Sequence, residues 1–116
     1  MRMVGNLQLE RAIAFKVEGN YEAAKAELRE ALLEEPDSAE AHHQLGLVYG
    51  FAGEFDDSLG ALKRATDLEQ NNVAAMNDLA KTYAMLGMYE EAKAGFEEVL
   101  RLDPGNETAR QNMMFF

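Results

Sequence analysis

The sequence predicts an all-α protein, a solenoid of antiparallel helix pairs, and three observations predict it. Gly19, Gly53 and Gly87 stand 34 residues apart twice over, each followed two residues later by an aromatic, Tyr21, Phe55 or Tyr89. The same period aligns small residues at Ala12, Gly46 and Ala80 and at Ala24, Ser58 and Ala92, and bulky apolar ones at Leu28, Leu62 and Phe96. Within one period the apolar residues recur at helical spacing, as Met76, Leu79, Ala80 and Tyr83 do at i, i+3, i+4 and i+7. Units that cannot bury their apolar faces alone must stack, and stacked helical pairs leave an extended groove suited to binding.

The elements follow in order. In the first unit, residues 5–38, Ala12 and Phe15 mark the inward face of one helix, and Ala24, Leu28 and Ala31 that of the next. Gly19 lies between them, where a helix C-terminus commonly turns left-handed and only glycine escapes the side-chain penalty. Pro36 stops the second helix, and Ser38 is placed to cap the helix of the following unit. The second unit, residues 39–72, repeats the pattern with Gly46, Tyr49, Gly53, Ser58, Leu62 and Ala65, and Asn72 is its closing cap. The third, residues 73–106, pairs the helix of Met76 to Tyr83 with one carrying Tyr89, Ala92, Phe96, Val99 and Leu100, and ends at Pro104 and Asn106. These columns of small residues require close helix contact, where added bulk costs about 1–3 kcal/mol.

Residues 107–116, ETARQNMMFF, continue the period as the start of another first helix. Six helices plus a short C-terminal capping helix are therefore expected. Met113, Met114 and Phe116 are expected to pack on the third unit, with Phe115 on the groove side. Three readings compete for this tail: a minimal cap, the stub of a longer array, and an arm through which Met113, Met114, Phe115 and Phe116 self-associate with another copy.

The unit length and columns resemble the tetratricopeptide repeat, whose signature runs aromatic, Leu-Gly, Tyr, Ala, Phe, Pro. The second unit reads His42, Leu45, Gly46, Tyr49, Ser58, Leu62, Gln70; the third reads Met76, Leu79, Ala80, Tyr83, Ala92, Phe96, Pro104. The first reads Gln8, Arg11, Ala12, Phe15, Ala24, Leu28, Pro36. No Trp opens a unit, Arg11 stands where leucine is usual, and Gln70 stands where proline is usual. The resemblance implies a right-handed superhelix and a protein–protein interaction module or scaffold. It also implies a test. Members that grip the terminal carboxylate of chaperone tails do so with Lys, Asn, Asn, Lys and Arg, and the corresponding positions here are Leu9, Ile13, Gln44, Ala74 and Asp78. No acidic chaperone tail is expected as a partner.

Composition narrows the function. The 116 residues hold 11 Lys and Arg against 21 Asp and Glu, a net charge of −10 spread over all three units. A phosphate-binding surface needs clustered cations, so nucleic acid is not expected; a basic partner is favoured by the negative field. Lys25, Arg29, Lys63, Arg64, Lys93 and Arg101 alternate with acids along the second helices and read as a solvated face. No cysteine is present, which removes disulfides and thiol chemistry and fits a reducing, cytoplasmic setting. No apolar run approaches the roughly 20 residues of a membrane span, and the opening MRMVGNLQLERA lacks a leader's apolar core.

Chemistry finds no foothold. His42 and His43 are adjacent on a helix and diverge by about 100°, unlike metal-binding pairs one turn apart. His42 is expected to pack, and His43 to face the groove. The acid pairs Glu34/Glu35, Asp56/Asp57, Glu90/Glu91 and Glu97/Glu98 are also sequence neighbours. No phosphate loop or nucleophile with its base is visible, so no enzyme, cofactor or metal is expected.

Binding residues follow from helical geometry. Positions offset by one or two from the core stripe point into the concave side: Leu9, Ile13, Lys16 and Val17 in the first unit, and Glu40, His43, Leu47, Gly50 and Phe51 in the second. In the third they are Ala74, Asn77, Asp78, Lys81, Ala84 and Met85. This lining is apolar for a wet face, which marks an interaction site for an apolar or amphipathic peptide. The expected readers are Leu9, Ile13, Val17, Leu47, Phe51 and Met85, with polar help from His43, Asn77 and Lys81. The competing expectation is that some of these six complete the core between repeats, Ile13 and Leu47 foremost and Phe51 and Met85 after them. Self-association, or service as a targeting piece of a longer protein, is the alternative function.

Overall fold

The computed structural model describes residues 3–116, with side chains from Leu7 onward. Met1 and Arg2, which open the segment read above for a leader, lie outside the described residues. The described chain is seven helices: α1 Met3–Glu18, α2 Tyr21–Glu34, α3 Ala39–Phe51, α4 Phe55–Leu68, α5 Val73–Met85, α6 Tyr89–Leu102 and α7 Glu107–Met113. Consecutive helices pack on each other, α1 on α2, α2 on α3 and so on to α7. The result is an all-α solenoid, 41 × 29 × 20 Å.

Each helical hairpin turns the same way for the same reason. Gly19, Gly53 and Gly87 adopt φ of 81°, 79° and 77°, and they alone have positive φ among the described residues. The amide after each glycine then donates back to the first helix: Asn20 to the Phe15 carbonyl at 2.9 Å, Glu54 to Tyr49 and Met88 to Tyr83 at 2.8 Å. These bonds satisfy carbonyls that a helix end otherwise leaves free. The inter-unit joints are fixed by caps. The side chains of Ser38, Asn72 and Asn106 accept from the amides of Ala41, Ala75 and Ala109. Asn20 caps α2 in the same manner, through the Ala23 amide.

The core is built from the repeating columns. Leu28, Leu62 and Phe96 are fully buried, as are Ala31, Ala65 and Val99 beside them. Ser58 keeps its place among small apolar residues because its hydroxyl donates to the Gly46 carbonyl at 2.7 Å, within the buried α3–α4 contact.

Two side chains depart from expectation. Lys25, read as part of a solvated face, is only 4% exposed. Its ammonium donates to Glu22 at 2.7 Å and to Glu54 at 2.9 Å, and lies 5.6 Å from the Tyr49 ring centroid. The α3–α4 turn of the next unit covers its stem, and the ammonium is held at the edge by a ring face and by two carboxylates that themselves stay open to solvent. Met114 does not pack on the third unit: α7 ends at Met113, and Met114 is 84% exposed. Phe116 does reach the third unit, its ring 6.3 Å from Phe96 and 6.5 Å from Tyr89. Met113 packs against the last core cluster.

Candidate functional site: a groove between repeats two and three

The first helices α1, α3 and α5 carry the predicted groove residues, and the structure sorts them into two bands. A polar network links α1, α3 and α5. The Lys16 ammonium donates to Gln44 Oε1 at 2.7 Å, and burial lowers the Lys16 pKa even though Glu40 and Asp78 oppose that shift. His43 Nε2 lies 2.8 Å from Asp78 Oδ2, linking α3 to α5, and Lys81 Nζ is 3.5 Å from the other oxygen of Asp78. His43 is buried and committed to this contact. Asn77 is likewise no free groove contact: it is buried, and its amide donates to Asn106 Oδ1 at 3.0 Å, where α7 begins. The reason is register, since one helical step from Asp78 turns Asn77 toward the next unit.

The apolar band lies toward the C-termini of the same helices. Val17, Phe51 and Met85 stand one period apart and are 79%, 61% and 67% exposed. Ile13 is also exposed, while Leu9 is half-buried against the first core cluster and Leu47 is half-buried. Between α3, α4 and α5 this band deepens into a cavity of about 210 Å³. Leu47, Phe51, Phe55 and Met85 form its walls, Asp78, Lys81 and Thr82 its polar side, and Ser58 and Leu62 its floor.

Two glycines make that floor reachable. A Cβ on Gly46 would come 2.6 Å from Leu62 Cγ, so only glycine lets α3 approach α4 this closely. A Cβ on Gly50 would meet nothing nearer than Ser58 Oγ at 3.5 Å, so its missing side chain is open space in the groove. The sequence reading did not include Phe55, Ser58, Leu62 or Thr82 in the site. Phe55 was legible as an aromatic one period from Tyr21; Ser58 and Leu62 become lining where Gly50 and Gly46 face them without side chains.

The remaining sequence-named residues lie at the end of the stack. Phe115 is 85% exposed beside Met114, while Met113 and Phe116 are engaged with α5 and α6. Among the described residues no group of three or more His, Cys, Asp or Glu is arranged to hold a metal, and no helix is long and apolar enough to cross a membrane.

Two family models of the tetratricopeptide repeat match the sequence, one over residues 52–114 and one over residues 9–49. The chain belongs to the tetratricopeptide repeat family. No curated protein matches the sequence. Among solved structures, the first tetratricopeptide domain of Spaghetti (RPAP3), bound to the HSP90 peptide SRMEEVD, superposes with a TM-score of 0.93 at 19% identity, over 99% of this chain and 91% of that one. The second such domain of human RPAP3, in complex with the HSP70 peptide SGPTIEEVD, gives 0.91 at 24% identity over 97% and 94%. The Arabidopsis OM64 domain gives 0.91 at 20% over 97% and 93%. At these identities the likeness establishes the fold; the groove chemistry is this chain's own.

Proposed function

We propose that this tetratricopeptide domain is a non-enzymatic protein–protein interaction module that binds an apolar or amphipathic segment in its concave groove. The observation that carries the reading is the cavity between α3, α4 and α5. It offers about 210 Å³ walled by Leu47, Phe51, Phe55 and Met85, with Phe51 and Met85 largely exposed. Large exposed apolar side chains around a concavity favour an anchoring side chain from a partner, and Met85 supplies an adaptable wall. Ile13 and Val17 extend the apolar band toward α1.

Acidic chaperone tails are not the ligand in this reading. Leu9, Ile13 and Ala74 offer no charge to a carboxylate, Asp78 repels one, and the groove lysines Lys16 and Lys81 are already held by Gln44 and Asp78. Titration of a peptide ending in EEVD serves as the negative arm. An amphipathic Leu/Gln helix peptide is the positive arm: it binds the wild type, and Phe51→Ala weakens it without loss of the helical circular dichroism signal. Binding of the EEVD peptide alone, or equal binding of the Leu/Gln peptide to both proteins, would sink the reading.

The exposure of Met114 and Phe115 favours a second reading, self-association through the tail. Light scattering over a concentration series, with and without residues 113–116, separates the two.

A further inference from the structure

The register that shapes the groove also builds a ladder along its rim, at the edge where first helices turn into second ones. Tyr21, Phe55 and Tyr89 each open a second helix, and each has an apolar side chain of the next unit beside it. Tyr21 stacks on Phe51, with centroids 6.4 Å apart and planes 19° apart. Phe55 and Met85 wall the same cavity. Tyr89 meets Phe116 at 6.5 Å, so the last residue takes the place in this series that Phe51 and Met85 hold before it. Phe51, Met85 and Tyr89 all remain exposed.

Acids follow each ring in sequence: Glu22, then Asp56 and Asp57, then Glu90 and Glu91. Glu22 is occupied by the Lys25 ammonium, which holds its carboxyl below the usual range. Asp56, Asp57, Glu90 and Glu91 are exposed and belong to no ion pair among the described residues. First-turn acids favour their own helices, which accounts for the carboxylates but not for the apolar side chains beside them, Phe55 with Met85 next to Asp56 and Asp57, and Tyr89 with Phe116 next to Glu90 and Glu91. A side chain that suits both has an aliphatic stem and a cationic head, because ring faces and carboxylates each attract positive charge.

We propose that the groove's partner is a cationic amphipathic segment, with its apolar face in the cavity and its Lys or Arg side chains laid across Phe55 and Tyr89 against Asp56, Asp57, Glu90 and Glu91. The inference rests on the groove reading above and names the partner's chemistry. The net charge of −10 draws such a segment in, and the rim fixes where its cations sit.

The test compares two designed peptides with the same leucine positions, one Leu/Lys and one Leu/Gln, by fluorescence polarisation. The Leu/Lys peptide is expected to bind about tenfold more tightly at low ionic strength, with the gap narrowing as salt rises. Joint replacement Asp56→Asn, Asp57→Asn, Glu90→Gln and Glu91→Gln removes the advantage. The matched set Glu30→Gln, Glu34→Gln, Asp67→Asn and Glu97→Gln, away from the rim on the second helices α2, α4 and α6, keeps it. Circular dichroism checks the folding of both variants, and the wild-type peptide comparison needs neither. Equal affinity for the two peptides, or equal loss in both variants, overturns this inference while leaving the groove reading intact. Failure of both peptides to bind overturns both.

Discussion

His43 and Asp78 are held together across the groove, Nε2 to Oδ2 at 2.8 Å, and both lie on first helices 35 residues apart in sequence. The contact bridges α3 and α5 and forms the polar wall against which the apolar band is set. Removing the carboxylate leaves a buried ring nitrogen unpaired, a loss of about 1–3 kcal/mol. Asp78→Ala is therefore expected to lower the stability measured by urea unfolding by that amount. Asp78→Asn keeps an acceptor and loses less.

Gly46 and Gly50 separate packing from binding. Gly46→Ala drives a Cβ into Leu62, at 2.6 Å from its Cγ, and is expected to cost about 1–3 kcal/mol of stability. Gly50→Ala meets only ordinary contact with Ser58 and trades glycine for a better helix former, a gain of about 0.5–1 kcal/mol. It also adds a methyl to the cavity wall. The expected outcome, by thermal melts and peptide titration, is a domain that is more stable and binds more weakly.

Lys25 makes stability depend on pH at both extremes. Its hydrogen bonds to Glu22 and then Glu54 raise its pKa, and the same contact with Lys25 lowers that of Glu22. The raised lysine contributes fully below its unfolded value of about 10.4, and the contribution fades as pH rises through the folded value. The depressed Glu22 contributes fully above its unfolded value of about 4.3 and fades as pH falls through its folded value. Melting temperature against pH should thus decline at both ends in the wild type. In Lys25→Met, which keeps the buried stem but no charge, the alkaline decline is reduced.

The tail supplies a paired prediction. Phe116 lies tilted against Tyr89 and Phe96, whereas Phe115 is exposed. Phe116→Ala is expected to lower stability by at least the roughly 0.5–1.5 kcal/mol of an aromatic pair. Phe115→Ala leaves it unchanged. Differential scanning calorimetry on the two variants reads the contrast.

What the sequence disclosed and what it hid divide along range. The left-handed turns at Gly19, Gly53 and Gly87 and the caps at Ser38, Asn72 and Asn106 were legible because each obeys a rule acting over a few residues. The apolar band was legible as a column, Val17, Phe51 and Met85, once the period was known. Burial of Lys25 was not, because a turn of the next unit creates it. The partners of Asn77 and His43 lie 29 and 35 residues away, and helical phase alone gives a direction without a neighbour. Helix α7 stops at Met113, so Met114 left its column, while Phe116 still reached the third unit.

The groove itself is tested most directly by amide and methyl NMR of the wild-type domain titrated with the amphipathic Leu/Lys peptide. The account predicts that the largest shifts fall on Leu47, Gly50, Phe51, Phe55, Thr82 and Met85, with small ones on the outer faces of α2, α4 and α6. Shifts concentrated on those outer faces, with Phe51 and Met85 unmoved, would contradict it.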